Sequence, residues 1–367
     1  MILRAKTKFL FDQFELNEAQ KKNSEFNLRE IDKGITELKS FPRRLVLELT
    51  NACNLNCMMC GRNSTKFNMT TFDLQWLEKL DGALKEAEEV ALFGWGEPTV
   101  HPDFRKILEL LDKYPVRKYF CTNGMRLSEL KEDIFKYNVD IIAISVDGGT
   151  AETNNAIRRG SDLDKISKSL KEIVEEKRQR KISKPYMNFV FCAMESNLKE
   201  LPKVVELAAN IGLEEVKVVY LTAFDEHLVK ETLWNKKERV DKIFKETVRL
   251  AESLSIKLKL PHLQGEDEAG DRYHKDCFVG WRDFFLGSDG HVRPCMSTPV
   301  KFFNIDDYDT FEEMWNHEKY IEFRQNVNFA NSMDKECKRC YQSSHCNWNR
   351  KESYIQIGEN FAPDWKE

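Results

Sequence analysis

Three cysteines lie close together in the string TNACNLNCMMCGR, with the spacing Cys53-x3-Cys57-x2-Cys60. Thiolates held in one short loop can bind three irons of a 4Fe-4S cubane, which leaves the fourth iron without a protein ligand. That open iron can chelate the amino and carboxylate groups of a small molecule, and an electron from the cluster can then break its sulfonium bond. A zinc site is the alternative. It normally needs a fourth Cys or His nearby, and the loop contains none.

A second group of cysteines lies near the C-terminal end of the chain, at Cys277, Cys295, Cys337, Cys340 and Cys346. The first two flank a predicted hairpin, FFLGSDGHVRP, and the last three follow a helical insert. A second cluster needs four thiolate ligands, and the candidates are Cys277, Cys295, Cys337 and Cys340. Cys346 either replaces one of them or is free. A zinc site made by the same four thiolates is the alternative.

The residues that must position these cysteines show a regular alternation of strands and helices. Six short runs rich in β-branched and aromatic residues are separated by amphipathic stretches. They begin at Arg44, Glu89, Val116, Asp140, Tyr186 and Glu215. The alternation predicts parallel strands with crossover helices. Six units instead of eight predict an α/β fold, an open, partial (β/α)6 TIM-like barrel, with chemistry at the C-terminal ends of its strands.

The length of 367 residues exceeds what a single core usually supports and predicts two units. We expect an N-terminal helical extension at 1–43, the partial barrel at 44–256 and a small iron-sulfur domain at 257–367. The small domain should consist of a β-hairpin plus helices and gain stability from its metal.

Composition excludes several partner classes. The 57 basic and 61 acidic residues give a net charge of −4, which offers no reason to expect nucleic acid or an anionic membrane as a partner. The N-terminal sequence lacks a signal-peptide cleavage pattern, and no window approaches the ~18 apolar residues of a spanning helix. Because thiols stay reduced in the cytosol, clustered cysteines there more often bind metal than form disulfides. We therefore expect a cytoplasmic protein.

Motifs at the ends of the predicted strands extend the pattern of the first cysteine loop. They are GWGEP at 94–98, TNG at 122–124, SVDG at 145–148 and IRRG at 157–160. Together with the cysteine spacing they resemble the radical SAM superfamily. Two departures are Met59, where an aromatic residue is usual before the last cysteine, and Trp95, which replaces the second glycine of a Gly-Gly doublet. A side chain in place of that glycine would narrow the S-adenosylmethionine pocket that the resemblance implies.

The resemblance implies that the cluster binds S-adenosyl-L-methionine. Its contacts would come from Gly94, Trp95, Gly96, Glu97, Pro98, Thr122, Asn123, Ser145, Asp147 and Arg158. The segment at about 277–346 resembles the SPASM or twitch domain, with Trp281, Gly290 and Pro294 as further matching residues. The larger SPASM version carries more cysteines, so the resemblance implies one auxiliary 4Fe-4S cluster.

The reaction implied by this resemblance begins with a 5'-deoxyadenosyl radical that removes a hydrogen atom from the substrate. An auxiliary cluster can accept the remaining electron of the substrate radical, which favours oxidation of the substrate. An external reductant such as flavodoxin or ferredoxin would supply electrons to the first cluster. Because 43 residues are too few for a leader-binding domain, we expect a small polar substrate of the sugar or aminocyclitol kind.

Three alternatives stay open. One is a maturase acting on a peptide or protein, of the ribosomal-peptide or sulfatase type. Another is a redox-neutral epimerase, in which a cavity-facing residue returns a hydrogen atom. Candidates for that role are Cys121, Cys192 and Tyr220, although such residues on a strand more often serve only in packing. The third, an electron carrier, would not need GWGEP, SVDG or six barrel units.

Overall fold

The computed structural model describes residues 15–64, 68–224, 226–233, 236–261, 277–296, 298–329 and 331–337. Strands β1 to β12 are Arg44–Leu47, Asn56–Cys57, Glu89–Leu92, Arg117–Thr122, Ile141–Ser145, Arg158–Arg159, Tyr186–Ala193, Glu215–Tyr220, Lys257–Lys259, Asp283–Leu286, His291–Arg293 and Phe303–Asn304. Helices α1 to α12 are Glu18–Asp32, Trp76–Lys79, Asp81–Glu86, Phe104–Leu111, Leu127–Lys136, Ala151–Ile157, Leu163–Arg180, Leu201–Ile211, Lys237–Ser253, Val279–Arg282, Phe311–Trp315 and Glu318–Asn326.

The six predicted barrel strands are present and parallel. Each begins within one residue of the start expected from the sequence. They lie in the order β1-β3-β4-β5-β7-β8 within a ten-stranded sheet whose full order is β12-β11-β10-β1-β3-β4-β5-β7-β8-β9. Because the chain crosses over by helices between neighbouring parallel strands, the α/β fold with a partial barrel is confirmed.

The C-terminal hairpin belongs to the same sheet. Strand β10 pairs in parallel with β1, from Arg44 opposite Asp283 to Leu47 opposite Leu286. Strands β11 and β12 continue from it in antiparallel fashion. At the other edge, β9 adds a parallel strand to β8 just beyond residue 256. The expected domain boundary at 256/257 therefore separates segments of one continuous sheet.

The two faces of the sheet have different surroundings, because successive side chains on a strand point to opposite sides. The outer face packs on the helices and contributes to the main core, for example through Phe120, Phe189 and Phe284. The inner face carries a smaller apolar cluster that includes Val46, Tyr119 and Phe285.

The N-terminal extension contains one described helix, α1, and residues 1–14 lie outside the described part. A capping box between Asn17 and Gln20 starts the helix. Its buried face is polar: the Gln20 side chain donates to the Ala87 carbonyl at 2.7 Å, and the Asn27 side chain donates to the Trp281 carbonyl at 2.8 Å. The helix thus holds the barrel and the C-terminal segment together. Across the described ranges, no helix combines the length and apolar character that crossing a membrane requires.

Candidate active site

The loop after β1 brings the first three cysteines together. The Cys60 amide donates to the Cys57 carbonyl at 3.1 Å, and the Leu55 amide donates to the Cys53 sulfur at 3.4 Å. Burial is the main cause that raises the pKa of Cys53 and of Cys57, and neighbouring thiols of the loop add to it, Cys60 for Cys53 and both Cys60 and Cys53 for Cys57. Burial raises the pKa of Cys57 to about 11, so binding of iron in place of the proton is what would hold it as a thiolate.

This donor set fits a cubane with three protein ligands. The three thiols are partly exposed and form no disulfide. Among the described residues, no three His, Cys, Asp or Glu side chains converge closely enough for a single metal ion. The thiolates of a cubane need not converge in this way, since each binds a different iron.

The IRRG motif lies directly against the cysteine loop. Strand β2 pairs antiparallel with β6, so that Cys57 lies opposite Arg158, and the Met58 amide donates to the Ile157 carbonyl at 2.9 Å. The Arg158 guanidinium approaches the Cys57 sulfur at 3.9 Å. It also forms an ion pair with Asp147, with Nε and Oδ2 2.6 Å apart.

Asp147 connects this pair to a neighbouring strand. It is fully buried, and its other oxygen accepts from the Cys192 amide at 2.7 Å. Burial raises the pKa of Asp147, and the attraction of Arg158 opposes that effect. The Asn197 side chain donates to the carbonyls of both Asp147 and Cys192. Asn197 was not predicted, because a single Asn in a loop carries no spacing signal.

The glycines of GWGEP permit a close backbone approach. A Cβ at Gly96 would lie 2.2 Å from the Thr50 carbonyl oxygen and 2.3 Å from that of Ala52. A Cβ at Gly94 would lie 2.4 Å from the Glu48 side chain. The segment therefore runs against the backbone just before Cys53, with the Glu97 amide donating to the Ala52 carbonyl at 2.8 Å.

Glu97 links GWGEP to the TNG motif on the next strand. Its buried carboxylate accepts from the Thr122 hydroxyl at 2.6 Å and from the Asn123 amide at 2.7 Å. It also accepts from Thr99 and caps the short 3-10 helix that begins at Pro98. Asn123 in turn donates to the Asn54 side chain at 2.8 Å and faces the Cys53 sulfur at 3.9 Å. Glu97 thus positions residues beside the cysteines.

The Trp95 side chain covers the residue that follows Cys60. A Cβ at Gly61 would lie 2.7 Å from the Trp95 ring, and that ring makes an edge contact with Phe224, with centroids 5.4 Å apart. The Trp95 amide donates to Glu48 at 2.6 Å. The other oxygen of Glu48 accepts from Ser288 of the C-terminal hairpin. Sequence reasoning missed Glu48, although a charged residue in the apolar run RLVLELT signals a buried partner.

The three candidates for hydrogen return lie in two different places. Cys121 and Cys192 are partly exposed on the inner side of the sheet, and the Cys121 sulfur lies 3.8 Å from the Ser145 hydroxyl. Burial raises the pKa of both thiols. Tyr220 points the other way and stacks on Phe244 of α9, with centroids 5.9 Å apart. We therefore keep the two cysteines and set Tyr220 aside.

Three members of the second cysteine group are described, and Cys340 and Cys346 lie outside the described residues. Cys277 and Cys337 pack at the edge of the main core, and the Cys277 amide donates to the Asn328 side chain at 2.7 Å. Cys295 follows β11. The next residue, Met296, packs against the inner-face cluster of the barrel. The donor chemistry of these thiols fits an iron-sulfur cluster.

Comparison with known proteins agrees with this geometry. Residues 47–189 match the radical SAM superfamily, and residues 277–341 match SPASM, an iron-sulfur cluster-binding domain. The fold of the chain is similar to that of Streptococcus suis SuiB in its structure with the precursor peptide SuiA, with a TM-score of 0.62. The match covers 86% of this chain and 74% of the SuiB chain, at 16% sequence identity. At that identity the likeness concerns the fold.

Three sequence relatives differ in how much of their length is matched. The tungsten-containing aldehyde ferredoxin oxidoreductase cofactor-modifying protein of Pyrococcus furiosus is 26% identical over 68% of this chain and 70% of its own length. The AdoMet-dependent heme synthase of Methanosarcina barkeri is 26% identical over 87% of this chain and 94% of its own length. The mycofactocin maturase MftC of Mycobacterium tuberculosis is 33% identical over 36% of this chain and only 34% of its own length.

Proposed function

We propose that this chain, a radical SAM enzyme with a SPASM domain, is a maturase that modifies a peptide or protein by removing a hydrogen atom from it. Its cofactors are the SAM-binding 4Fe-4S cluster, an auxiliary 4Fe-4S cluster and S-adenosyl-L-methionine. When bound, they supply the 5'-deoxyadenosyl radical that performs this step. The residues of the chain bind, orient and shield these groups.

The observation that carries the proposal is the position of Cys295 and Met296. Strand β10 continues the barrel sheet beside β1, and Met296 contacts the inner-face cluster. The segment that carries Cys295 thus reaches the inner face of the sheet through Met296, which supports a role for the second group in the same reaction. Cys53, Cys57 and Cys60 would hold the first cluster, and Cys277, Cys295, Cys337 and Cys340 the second.

The peptide or protein substrate is favoured by the relatives. MftC is named a maturase, and SuiB binds a precursor peptide. The expectation of a sugar or aminocyclitol substrate finds no support among them. A second candidate is the modification of a cofactor precursor. It is favoured by the heme synthase, of which this chain matches 94%.

The test is anaerobic turnover of the reconstituted enzyme with S-adenosylmethionine, dithionite and short peptides encoded beside its gene. We expect 5'-deoxyadenosine and a peptide that has lost two hydrogens, measured by mass spectrometry. Cys53→Ala is the control and should make neither product. A peptide whose mass is unchanged in H2O but increases in D2O, through incorporation of solvent deuterium, would show epimerisation instead. If 5'-deoxyadenosine appears without change in any peptide, while a porphyrin precursor is altered, the cofactor alternative replaces the proposal.

A further inference from the structure

The ion pair between Asp147 and Arg158 lies beside the first cysteine loop. Asp147 follows the end of β5 by two residues, and helix α6 separates it in sequence from Arg158 on β6. The antiparallel pairing of β6 with β2 places Arg158 opposite Cys57. One guanidinium therefore contacts both a cysteine of the loop and the buried carboxylate.

The pair has a defined orientation, with the cation against the cysteine. Nη1 of Arg158 donates to the Cys57 sulfur at 3.9 Å, and Nε lies 2.6 Å from Oδ2 of Asp147. The other carboxylate oxygen accepts from the Cys192 amide at 2.7 Å, and the Asn197 side chain donates to the Asp147 carbonyl at 3.0 Å. Strand β7 and the loop that follows it thus fix the carboxylate, which in turn fixes the guanidinium.

Both charges of the pair act on Cys57. Burial is the largest effect and raises the pKa of its thiol, Arg158 lowers that pKa, and Asp147 raises it. The side chains of Arg158 and Asp147 are only 11% and 0% exposed, so water screens their charges weakly. The cation favours negative charge on the Cys57 sulfur, and the carboxylate opposes it.

Two other charged groups act on the loop at Cys53. Burial raises the pKa of Cys53 most, Glu97 raises it further, and Arg62 lowers it. Both groups remain in place when Arg158 or Asp147 is replaced. A substitution in the pair therefore isolates the contribution of the pair itself.

Charge next to a ligand sulfur affects how easily an iron-sulfur cluster is reduced. A cluster held by the three cysteines gains one negative charge on reduction, which a nearby cation stabilises and a nearby carboxylate destabilises. Net charge and hydrogen bonds to the sulfurs are among the properties that set the reduction potential of such clusters. Arg158 supplies both a positive charge and an N–H donor to Cys57.

We propose that the Asp147–Arg158 pair sets the reduction potential of the first cluster, with Arg158 favouring the reduced state and Asp147 limiting that effect. This role is additional to the contacts with S-adenosylmethionine expected for both residues. The electron comes from an external one-electron reductant, and no bond forms or breaks in this step. The inference depends on the cluster site and not on the identity of the substrate.

The test is a redox titration of the reconstituted full chain, followed by EPR in the absence of S-adenosylmethionine. The signal of the first cluster is recognised in a parallel sample, because binding at its open iron changes that signal when S-adenosylmethionine is added. Arg158→Met should lower the ratio of reduced to oxidised cluster at a fixed potential about tenfold, which corresponds to about 59 mV for a one-electron couple. Asp147→Asn should raise this ratio about tenfold. Arg158→Lys retains the charge and should stay within about threefold of the wild type.

The opposite signs separate an electrostatic role from a structural one, because a loosened loop would shift the potential of both variants in the same direction. Lys118→Met is the matched control. The Lys118 side chain is 5% exposed and binds Asp112 at 2.8 Å, but it lies near the N-terminal end of β4, away from the strand ends that carry the cysteine loop. The ratio in this variant should equal that of the wild type.

The proposal is overturned if Arg158→Met and Asp147→Asn shift the ratio in the same direction, if neither shifts it, or if Lys118→Met shifts it as much as Arg158→Met. Iron content and circular dichroism establish that each variant is folded and holds its clusters. If Arg158→Met loses the first cluster, the sign of the shift in Asp147→Asn decides. An unchanged or lowered ratio in that variant then overturns the proposal.

The outcome is separable from that of the proposed function, because the titration contains no substrate. Opposite shifts without any peptide turnover would support the redox role of the pair and count against the maturase. Peptide turnover without opposite shifts would support the maturase and overturn the redox role.

Discussion

A buried ion pair joins the first barrel strand to the C-terminal hairpin. Its removal tests how much this contact contributes to the stability of the fold. Arg44 on β1 donates to Asp283 on β10 through Nε at 3.0 Å and Nη2 at 2.6 Å. Arg282 donates to the same carboxylate at 3.0 and 2.7 Å. Asp283 is 1% exposed. Burial alone would raise its pKa, but the two arginines outweigh that effect and hold the pKa well below its usual range.

Replacing Asp283 by Asn retains the shape and removes the charge. Arg44, 6% exposed, is then buried without a full counter-charge beside a second guanidinium. Breaking a buried pair in this way costs about 3–5 kcal/mol in the free energy of unfolding. Since β10 leads to Cys295, we expect the variant also to bind about four irons instead of the about eight of two cubanes.

Urea unfolding followed by fluorescence and circular dichroism measures the first effect, and iron analysis measures the second. Arg282→Met is the control, because it leaves the Arg44–Asp283 pair intact and should cost about 2 kcal/mol, as expected for lost hydrogen bonds to a charged group. The double variant Arg44→Met, Asp283→Leu should lose less stability than Asp283→Asn, since no buried charge is left without its partner. The reasoning fails if Asp283→Asn is no more harmful than Arg282→Met, or if its iron content is unchanged.

Three further predictions concern the cysteine loop, the hairpin and the second cysteine group. Gly96→Ala should lower the rate of S-adenosylmethionine cleavage at least about tenfold, because the added Cβ would lie 2.2 Å from a backbone oxygen. The control Gly82→Ala, whose added Cβ would have its nearest contact at 3.4 Å, should cleave at the wild-type rate. Equal cleavage rates in the two variants would refute the prediction. Asp289 is buried in part, which would raise its pKa, but Arg293 and Lys301 hold the pKa well below the usual range. The stability from Asp289 is therefore present above about pH 4 and is lost as the pH falls further. Thermal melts should show a smaller acid-dependent loss of stability in Asp289→Asn than in the wild type, and equal losses would refute this. Cys337→Ala should still make 5'-deoxyadenosine but little oxidised product, provided that circular dichroism and the first cluster are unchanged; product at the parent rate would favour redox-neutral chemistry.

Much of the active site follows from local sequence. Cys53, Cys57 and Cys60 are within one loop, so their chemistry depends on spacing that the sequence displays directly. The six strand starts also follow from short apolar runs, because burial of a parallel strand on both faces requires them. Since parallel strands end at one edge, the positions of GWGEP and TNG beside the cysteine loop were implied as well.

Contacts between distant segments were decided only by the tertiary structure. The sequence predicted the hairpin but not its parallel pairing with β1, because pairing partners depend on which edge of the sheet remains free. It also could not assign Tyr220 to the outer face or Cys192 to the inner one, since a one-residue difference in register reverses every side chain. Arg158 and Asp147 were expected as separate ligand contacts, and the fold joins them in one ion pair beside Cys57. Such pairings arise from packing across more distant residues, which local spacing does not encode.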